Sequence, residues 1–256
     1  MNNLAEQGTE PWRINGVAVI TGAARGIGAA VAERIANRGA CVVLADQQRD
    51  LLWQTVARLK ATGIEAHGVE VDVRSADSIE TLAEAAVAFG PLVAWVNNAG
   101  VIDRTPVLDI SGEAFDRLMA VNARGCLFGI QSAARRMSGG GAIVNLASMS
   151  SFIAIANTAH YGATKAAVAL LTRNAAVELA PMGVRVNAVA PGSIRTAFTS
   201  ERLAQPGAEE RTVARIPLSR IGTAEDVAGP VAFLCSPEAA YITGAILQVD
   251  GGWTAC

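Results

Sequence analysis

Seven short, almost uniformly apolar runs recur along the chain: Val17 to Thr21, Cys41 to Ala45, Ala66 to Val71, Leu92 to Val96, Ala142 to Leu146, Val184 to Ala190 and Ile246 to Val249. Stretches with helical periodicity separate them, and strands alternating with helices read as repeated βαβ units. Because the runs do not alternate apolar with polar, both sheet faces must be covered by helices, as a parallel sheet requires. The expected architecture is α/β: a doubly wound, mostly seven-stranded parallel sheet with helices on both faces.

The punctuation agrees with that pattern. Ser75, Ser111 and Thr223 stand where helices should begin, followed by Asp77, Glu113 and Asp226, acids that suit a helix N-terminus. Gly39, Gly63, Gly90-Pro91 and Ser236-Pro237 stand where helices should end. No interdomain linker interrupts the 256 residues, a length that α/β folds commonly fill as one core. The reading is a polar N-terminal extension over 1–12 and a single domain over 13–256. The least patterned stretch, Ser193 to Arg215, is expected to be a functional loop.

Composition narrows the function. A net charge of −2 gives no extended positive field, so nucleic acid is not an expected partner. No apolar run reaches the roughly 20 residues that span a bilayer, and the first fifteen residues lack the basic start and apolar core of an export signal. The expected location is cytoplasmic. Cys41, Cys126, Cys235 and Cys256 form no C-x-x-C pair, and His67 and His160 cluster with none of them in sequence, so no metal site is expected.

Between the first strand and the first helix lies Thr21-Gly22-Ala23-Ala24-Arg25-Gly26-Ile27-Gly28. Glycines there let backbone N–H groups at a helix N-terminus approach a diphosphate that any Cβ would block. Asp46 follows Gly28 by 18 residues, close to the roughly 20 expected for the acid that accepts from an adenosine ribose. A carboxylate at that place repels a 2′-phosphate, which points to NAD over NADP. Arg25, a cation before the second glycine, pulls the other way.

With these features the chain resembles the short-chain dehydrogenase/reductase family from about Arg13 to Trp253. The resemblance is carried by the glycine turn, Asp72-Val73, Asn97-Asn98-Ala99-Gly100, Asn122, Ser148, Tyr161-x-x-x-Lys165, Pro191-Gly192 with Thr196, and Val249-Asp250-Gly251-Gly252. It implies a Rossmann fold and an oxidoreductase interconverting a secondary alcohol and a ketone. It further implies that Asp72 and Val73 contact the adenine and that Asn98, with Ala99 and Gly100 beside it, lies at the adenosine ribose. Pro191, Gly192, Ile194 and Thr196 would surround the nicotinamide, with Ile194 and Thr196 holding its amide.

Tyr161 and Lys165 also have a reading of their own, since residues four apart share a helix face. A nearby ammonium stabilises a phenolate and lowers a tyrosine pKa from about 10 toward working range. Alone, this spacing is an ordinary helix pair; its company gives it meaning. Ser148 follows the fifth run, at the carboxyl end of a strand where open α/β sheets bind ligands. By the resemblance, Ser148 polarises the carbonyl, Tyr161 exchanges the proton, Lys165 also holds the nicotinamide ribose, and Asn122, in mid-helix, keeps a water that connects Lys165 to solvent. His160 points about 100° away from Tyr161 on a helix and reads as a rim or structural residue. His67 reads as a surface or packing histidine.

The segment from Met149 to Ala159 carries no charge, which favours a small neutral alcohol or ketone. Met149, Phe152 and Ile155 are candidates to line its site, with Phe198 contributed by a lid over about 193–215. Arg195 and Arg211 could meet an anion if that lid folds inward. Small residues crowd the helices predicted around Ala114 to Met137 and after Thr158, and the resemblance makes these a dimer interface within a homotetramer. Two other readings stay open: a 3-oxoacyl-thioester reductase using NADPH, and an NAD-binding sensor or scaffold without chemistry.

Overall fold

The computed structural model describes residues 12–255. The expected N-terminal extension therefore lies, except for Trp12, outside the described residues. Seven strands form one parallel sheet: β1 (Val17–Thr21), β2 (Cys41–Asp46), β3 (Ala66–Glu70), β4 (Leu92–Asn97), β5 (Gly141–Leu146), β6 (Val184–Pro191) and β7 (Ile246–Val249), in the order β3-β2-β1-β4-β5-β6-β7. Each expected run is a strand, shifted by a residue at most.

Alternation along each strand sends neighbours to opposite faces, and both faces are buried. Ala18, Ile20, Val42, Leu44, Ala94 and Val96 pack on one side with α1 (Gly26–Ala36), α2 (Arg49–Ala61) and a C-terminal helix, Ala224–Cys235. Val17, Val19, Val43, Ala45 and Trp95 pack on the other. There they meet α3 (Ala76–Val87), a second helix over Gly125–Arg136, and a long helix over Ala159–Leu179. This two-sided burial is why the strands are uniformly apolar.

The remaining helices follow in chain order. α4 (Gly112–Leu118) runs through a widened π turn, Met119–Arg124, into α5 (Gly125–Arg136); α6 (Ala159–Leu179) follows β5. The stretch expected to be a loop folds instead into α7 (Ala197–Leu203) and α8 (Ala208–Val213), before α9 (Ala224–Cys235). Helices of two turns or fewer, burying only Leu203, Ala208 and Thr212, carry too little apolar periodicity to be read from sequence. The caps are as expected: Ser75 Oγ accepts from Ser78 N at 3.2 Å and Ser111 Oγ from Ala114 N at 3.1 Å. Thr223 and Asp226 form a reciprocal capping box.

β1 and β4 are neighbours although two strands intervene in sequence. Chain direction across the sheet reverses between them, and ligands bind in the crevice outside the carboxyl ends of strands at such a point. Among the described residues no helix is long and apolar enough to cross a membrane.

Candidate active site

A cavity of about 910 Å³ opens over the carboxyl ends of β1, β2, β4, β5 and β6. Its wall contains Gly22, Arg25, Gly26, Ile27, Gly28, Asp46, Asp72, Val73, Asn98, Ala99, Gly100, Ser148, Met149, Ile155, Tyr161, Lys165, Pro191, Gly192, Ile194, Thr196 and Phe198. Residues far apart in sequence converge there because each parallel strand delivers its next residues to the same edge. Phe152 and Asn122 are the expected site residues absent from the wall. Phe152 follows a 3₁₀ turn, Met149–Ser151, and is 43 % exposed. The reading that placed it in the pocket is corrected: the turn carries it outward while Met149 remains buried.

The glycine turn is held open by sterics. Gly22 and Gly26 adopt φ of +64° and +59°, a conformation costly to residues with a Cβ. A Cβ on Gly28 would lie 2.3 Å from the Gly22 carbonyl oxygen. No acid occupies the first turn of α1, and its N-cap residue, Arg25, provides no side-chain cap. The helix end therefore keeps N–H groups available to an anion. Asn98 braces the turn: Nδ2 donates to the Thr21 and Gly22 carbonyls, both at 2.9 Å. With both amide hydrogens spent, Asn98 can offer a ribose only its oxygen.

Asp46 is buried at the end of β2, where its carboxylate accepts from Ala24 N at 3.1 Å and Gln48 N at 2.9 Å. A carboxylate has about four lone-pair sites, so two backbone donors leave capacity for a ribose hydroxyl. Asp72 is gripped by Arg74, with Nε and Nη2 2.7 to 3.0 Å from its oxygens. That hydrogen bonding holds its carboxyl below the ordinary range. The open helix end, the glycine cradle and Asp46 together fit a dinucleotide.

At the other end, α6 presents Tyr161 and Lys165, both buried, one turn apart. Lys165 Nζ donates to the Leu146 carbonyl at 2.6 Å and lies 5.8 Å from the Tyr161 ring centre. Ser148 stands two residues beyond β5; its hydroxyl accepts from Ser150 N at 3.1 Å and lies beside the phenol. Burial pushes the Tyr161 phenol up to about 12, against the lowering influence of Ser148 and of the Arg104 charge. Burial likewise pushes Lys165 down to about 8. The expectation that Lys165 brings the phenol toward neutrality is not met in the chain by itself. Desolvation penalises both charged forms and is the largest influence on each.

Asn122 sits within the π turn, a geometry frequent at functional sites, and is buried behind the wall. Its Oδ1 accepts from Val101 N at 2.8 Å, while Nδ2 donates to Val101 O at 2.9 Å and Thr164 Oγ1 at 3.0 Å. The amide hydrogens are consumed, so this side chain is a clamp between the β4 loop and α6.

Several contributors stand outside the expected site. Trp95 Nε1 donates to Asn97, Asn97 to Asn145, and Asn145 to Thr172. This buried chain fixes α6 against β4 and β5. Such satisfied polar networks specify one arrangement of a core. Arg104, Arg117, Arg202, Arg211 and Arg215 also reach the cavity wall. His160 is buried and outside the wall, consistent with a structural place, and His67 stacks on Phe89 with ring centres 3.6 Å apart.

A family model described as enoyl-(acyl carrier protein) reductase matches residues 22–254. The chain is a short-chain dehydrogenase/reductase. Within this family it is 40% identical over 247 residues to an L-rhamnose 1-dehydrogenase (NAD(P)(+)) of Azotobacter vinelandii, covering 93% of this chain and 96% of that one. It is 43% identical over 244 residues to a cis-4-hydroxycyclohexanecarboxylate dehydrogenase of Sinomonas cyclohexanicum, with the same coverage. A gluconate 5-dehydrogenase from Burkholderia cenocepacia J2315, solved with NADP and tartrate, superposes with a TM-score of 0.92 at 30% identity, covering 96% of this chain and 98% of that one. The protein is thus an oxidoreductase of the dehydrogenase type, and relatives use nicotinamide cofactors.

Proposed function

We propose that this dehydrogenase interconverts a secondary alcohol and a ketone with NAD(H) in preference to NADP(H). The observation that carries the reading is the meeting of Ser148, Tyr161 and Lys165 in the cavity whose other end is walled by Asp46. The nicotinamide, when bound, supplies the hydride acceptor or donor. Ser148 holds the substrate oxygen, Tyr161 gives or takes its proton, and Lys165 keeps a cation behind the phenol. Asp46 accepts from the ribose and disfavours a 2′-phosphate; Arg25, exposed on the same rim, is a cation that opposes this preference.

The activities for which these relatives are named, on a sugar and on a hydroxylated ring, support a polyol or cyclic alcohol as the substrate class. α7 and α8, with Phe198 6.3 Å from the Tyr161 ring, form the lid. A cytoplasmic location accords with the free thiols of Cys41, Cys126 and Cys235. Assembly as a homotetramer is supported by α6, whose Ala163, Ala166, Leu170 and Val177 form an exposed apolar stripe; a monomer mass in solution would refute it.

The test is an NAD+ reduction screen over polyols, cyclic diols, aryl and aliphatic secondary alcohols and steroids, run beside Tyr161→Phe. Loss of a proton-transfer group costs about 10²–10⁴-fold in rate, while NADH still binds. Near-full activity in that variant refutes the mechanism. NADH binding without turnover of any alcohol would favour a scaffold instead.

A further inference from the structure

Among the described residues the carboxylates of the cavity wall are confined to one end. Its only two carboxylates, Asp46 and Asp72, belong to the β2 and β3 side of the sheet, and Asp72 is paired with Arg74. At the opposite end the wall around Tyr161 is cationic. Arg104 enters from the loop after β4, and Arg202 from the lid helix α7. Among the described residues no carboxylate pairs with either guanidinium, whereas neighbouring Arg117 is paired with Asp103 and Arg195 with Glu209.

Arg202 is positioned rather than loose. Nη1 donates to Thr212 Oγ1 at 2.8 Å and Nη2 to Ser193 Oγ at 2.9 Å. Two of its five N–H donors are thereby spent on neutral hydroxyls, which leaves its charge uncompensated. It lies one helical turn beyond Phe198, the residue that faces Tyr161, so both project from one face of α7. Arg104 acts on the same place: its charge is felt at the Tyr161 phenol, and after burial it is what holds the Arg202 guanidinium below its ordinary value. Two like charges facing one half-enclosed space repel each other unless an anion enters between them.

We propose that Arg104 and Arg202 form a carboxylate-binding subsite, and that the substrate is a hydroxy acid whose acid group lies a few bonds from the carbon undergoing oxidation. The inference rests on the dehydrogenase reading and replaces the neutral substrate expected from the uncharged Met149 to Ala159 segment. That segment is one wall; the loop after β4 and the lid, brought in by the fold, supply the charge. A guanidinium matches the planar, two-oxygen shape of a carboxylate. The lid would then close on acids in preference to neutral alcohols of the same shape.

The test is equilibrium titration of the enzyme–NADH complex with 4-oxocyclohexanecarboxylate and its carboxamide, and with 4-oxopentanoate and its amide, pairs matched except for charge. The expected result is that at least one acid binds more tightly than its amide by about tenfold or more, the effect of a charged hydrogen bond. Arg104→Gln and Arg202→Gln should each remove most of that preference, with Arg202→Lys restoring part of it. Arg104 makes no side-chain hydrogen bond or ion pair to the described residues, so its variant breaks none. NADH affinity should be retained in Arg104→Gln, whose guanidinium bonds to no residue of the cofactor end, whereas Arg202 is bonded to Ser193 beside Gly192 and Ile194. If neither acid outbinds its amide, the subsite is overturned. Loss of NADH affinity in both variants, which would assign the arginines to the dinucleotide, overturns it too. The dehydrogenase reading fails separately, if neither the alcohols of the broad screen nor the hydroxy acids corresponding to these keto acids reduce NAD+.

Discussion

Lys165 Nζ donates to the Leu146 carbonyl oxygen at 2.6 Å. This bond ties the helix carrying Tyr161 to the strand end that delivers Ser148, so three residues from two elements keep one relative position. It also explains why the lysine stays so deep: a carbonyl dipole partly compensates the lost hydration of the ammonium. The compensation is incomplete, because burial still pushes Lys165 down to about 8.

That depression has a stability signature. Between about pH 8 and the ordinary lysine value near 10.4, the unfolded chain retains a proton that the folded chain has released. Stability contributed through this group therefore rises with pH across that window and is flat below it. The difference in urea midpoint between wild type and Lys165→Met should shift in favour of wild type from about pH 8 to about pH 10. A difference constant with pH would show that the lysine is not depressed.

Tyr161 should titrate the opposite way. The chain has two tyrosines, and the other, Tyr241, is fully exposed. In Tyr241→Phe the phenolate absorbance belongs to Tyr161 alone. Because burial raises that phenol to about 12, the protein without cofactor should show almost no phenolate absorbance at about pH 10. Appreciable ionisation near neutrality would mean that Lys165 outweighs burial.

Gly28→Ala places a Cβ 2.3 Å from the Gly22 carbonyl oxygen and 2.9 Å from Ala23 Cα. Both obstacles are backbone, so the turn itself must move. Overpacking of this kind costs about 1–3 kcal/mol, and NADH affinity should fall along with the melting temperature. Unchanged dinucleotide affinity, by fluorescence titration, would remove the glycine turn from the cofactor site.

Asp46→Asn removes the charge and keeps a single acceptor oxygen, so its NH2 group must face one of the Ala24 and Gln48 N–H groups that the two carboxylate oxygens satisfy in the wild type. The ratio of kcat/KM for NAD+ over NADP+ should fall by about tenfold or more, the scale of a charged hydrogen bond. If the ratio does not move, Arg25 or another rim residue governs the choice.

Much of this molecule was readable before folding. Two-sided burial leaves the five central strands almost uniformly apolar and so legible, the edge strands β3 and β7 follow from their place between helices, and caps such as Ser75 and Thr223 act within four residues. Gly22, Gly28 and Asp46 were legible because a diphosphate turn and a ribose acid occupy one strand–helix–strand unit. Tyr161 and Lys165 declare themselves by helical spacing, though their meaning depends on Ser148.

The tertiary structure alone decided what surrounds those groups. Phe152 turned outward because a 3₁₀ turn precedes it, and Asn122 became a clamp because Val101 and Thr164 are brought to its two ends. The direction of the Tyr161 shift reversed because desolvation depends on everything packed around the ring. Arg104 and Arg202 lie 98 positions apart and share a cavity only once the lid folds over β5 and β6. Local chemistry is written in neighbouring residues; burial and long-range charge exist only when the chain has closed on itself.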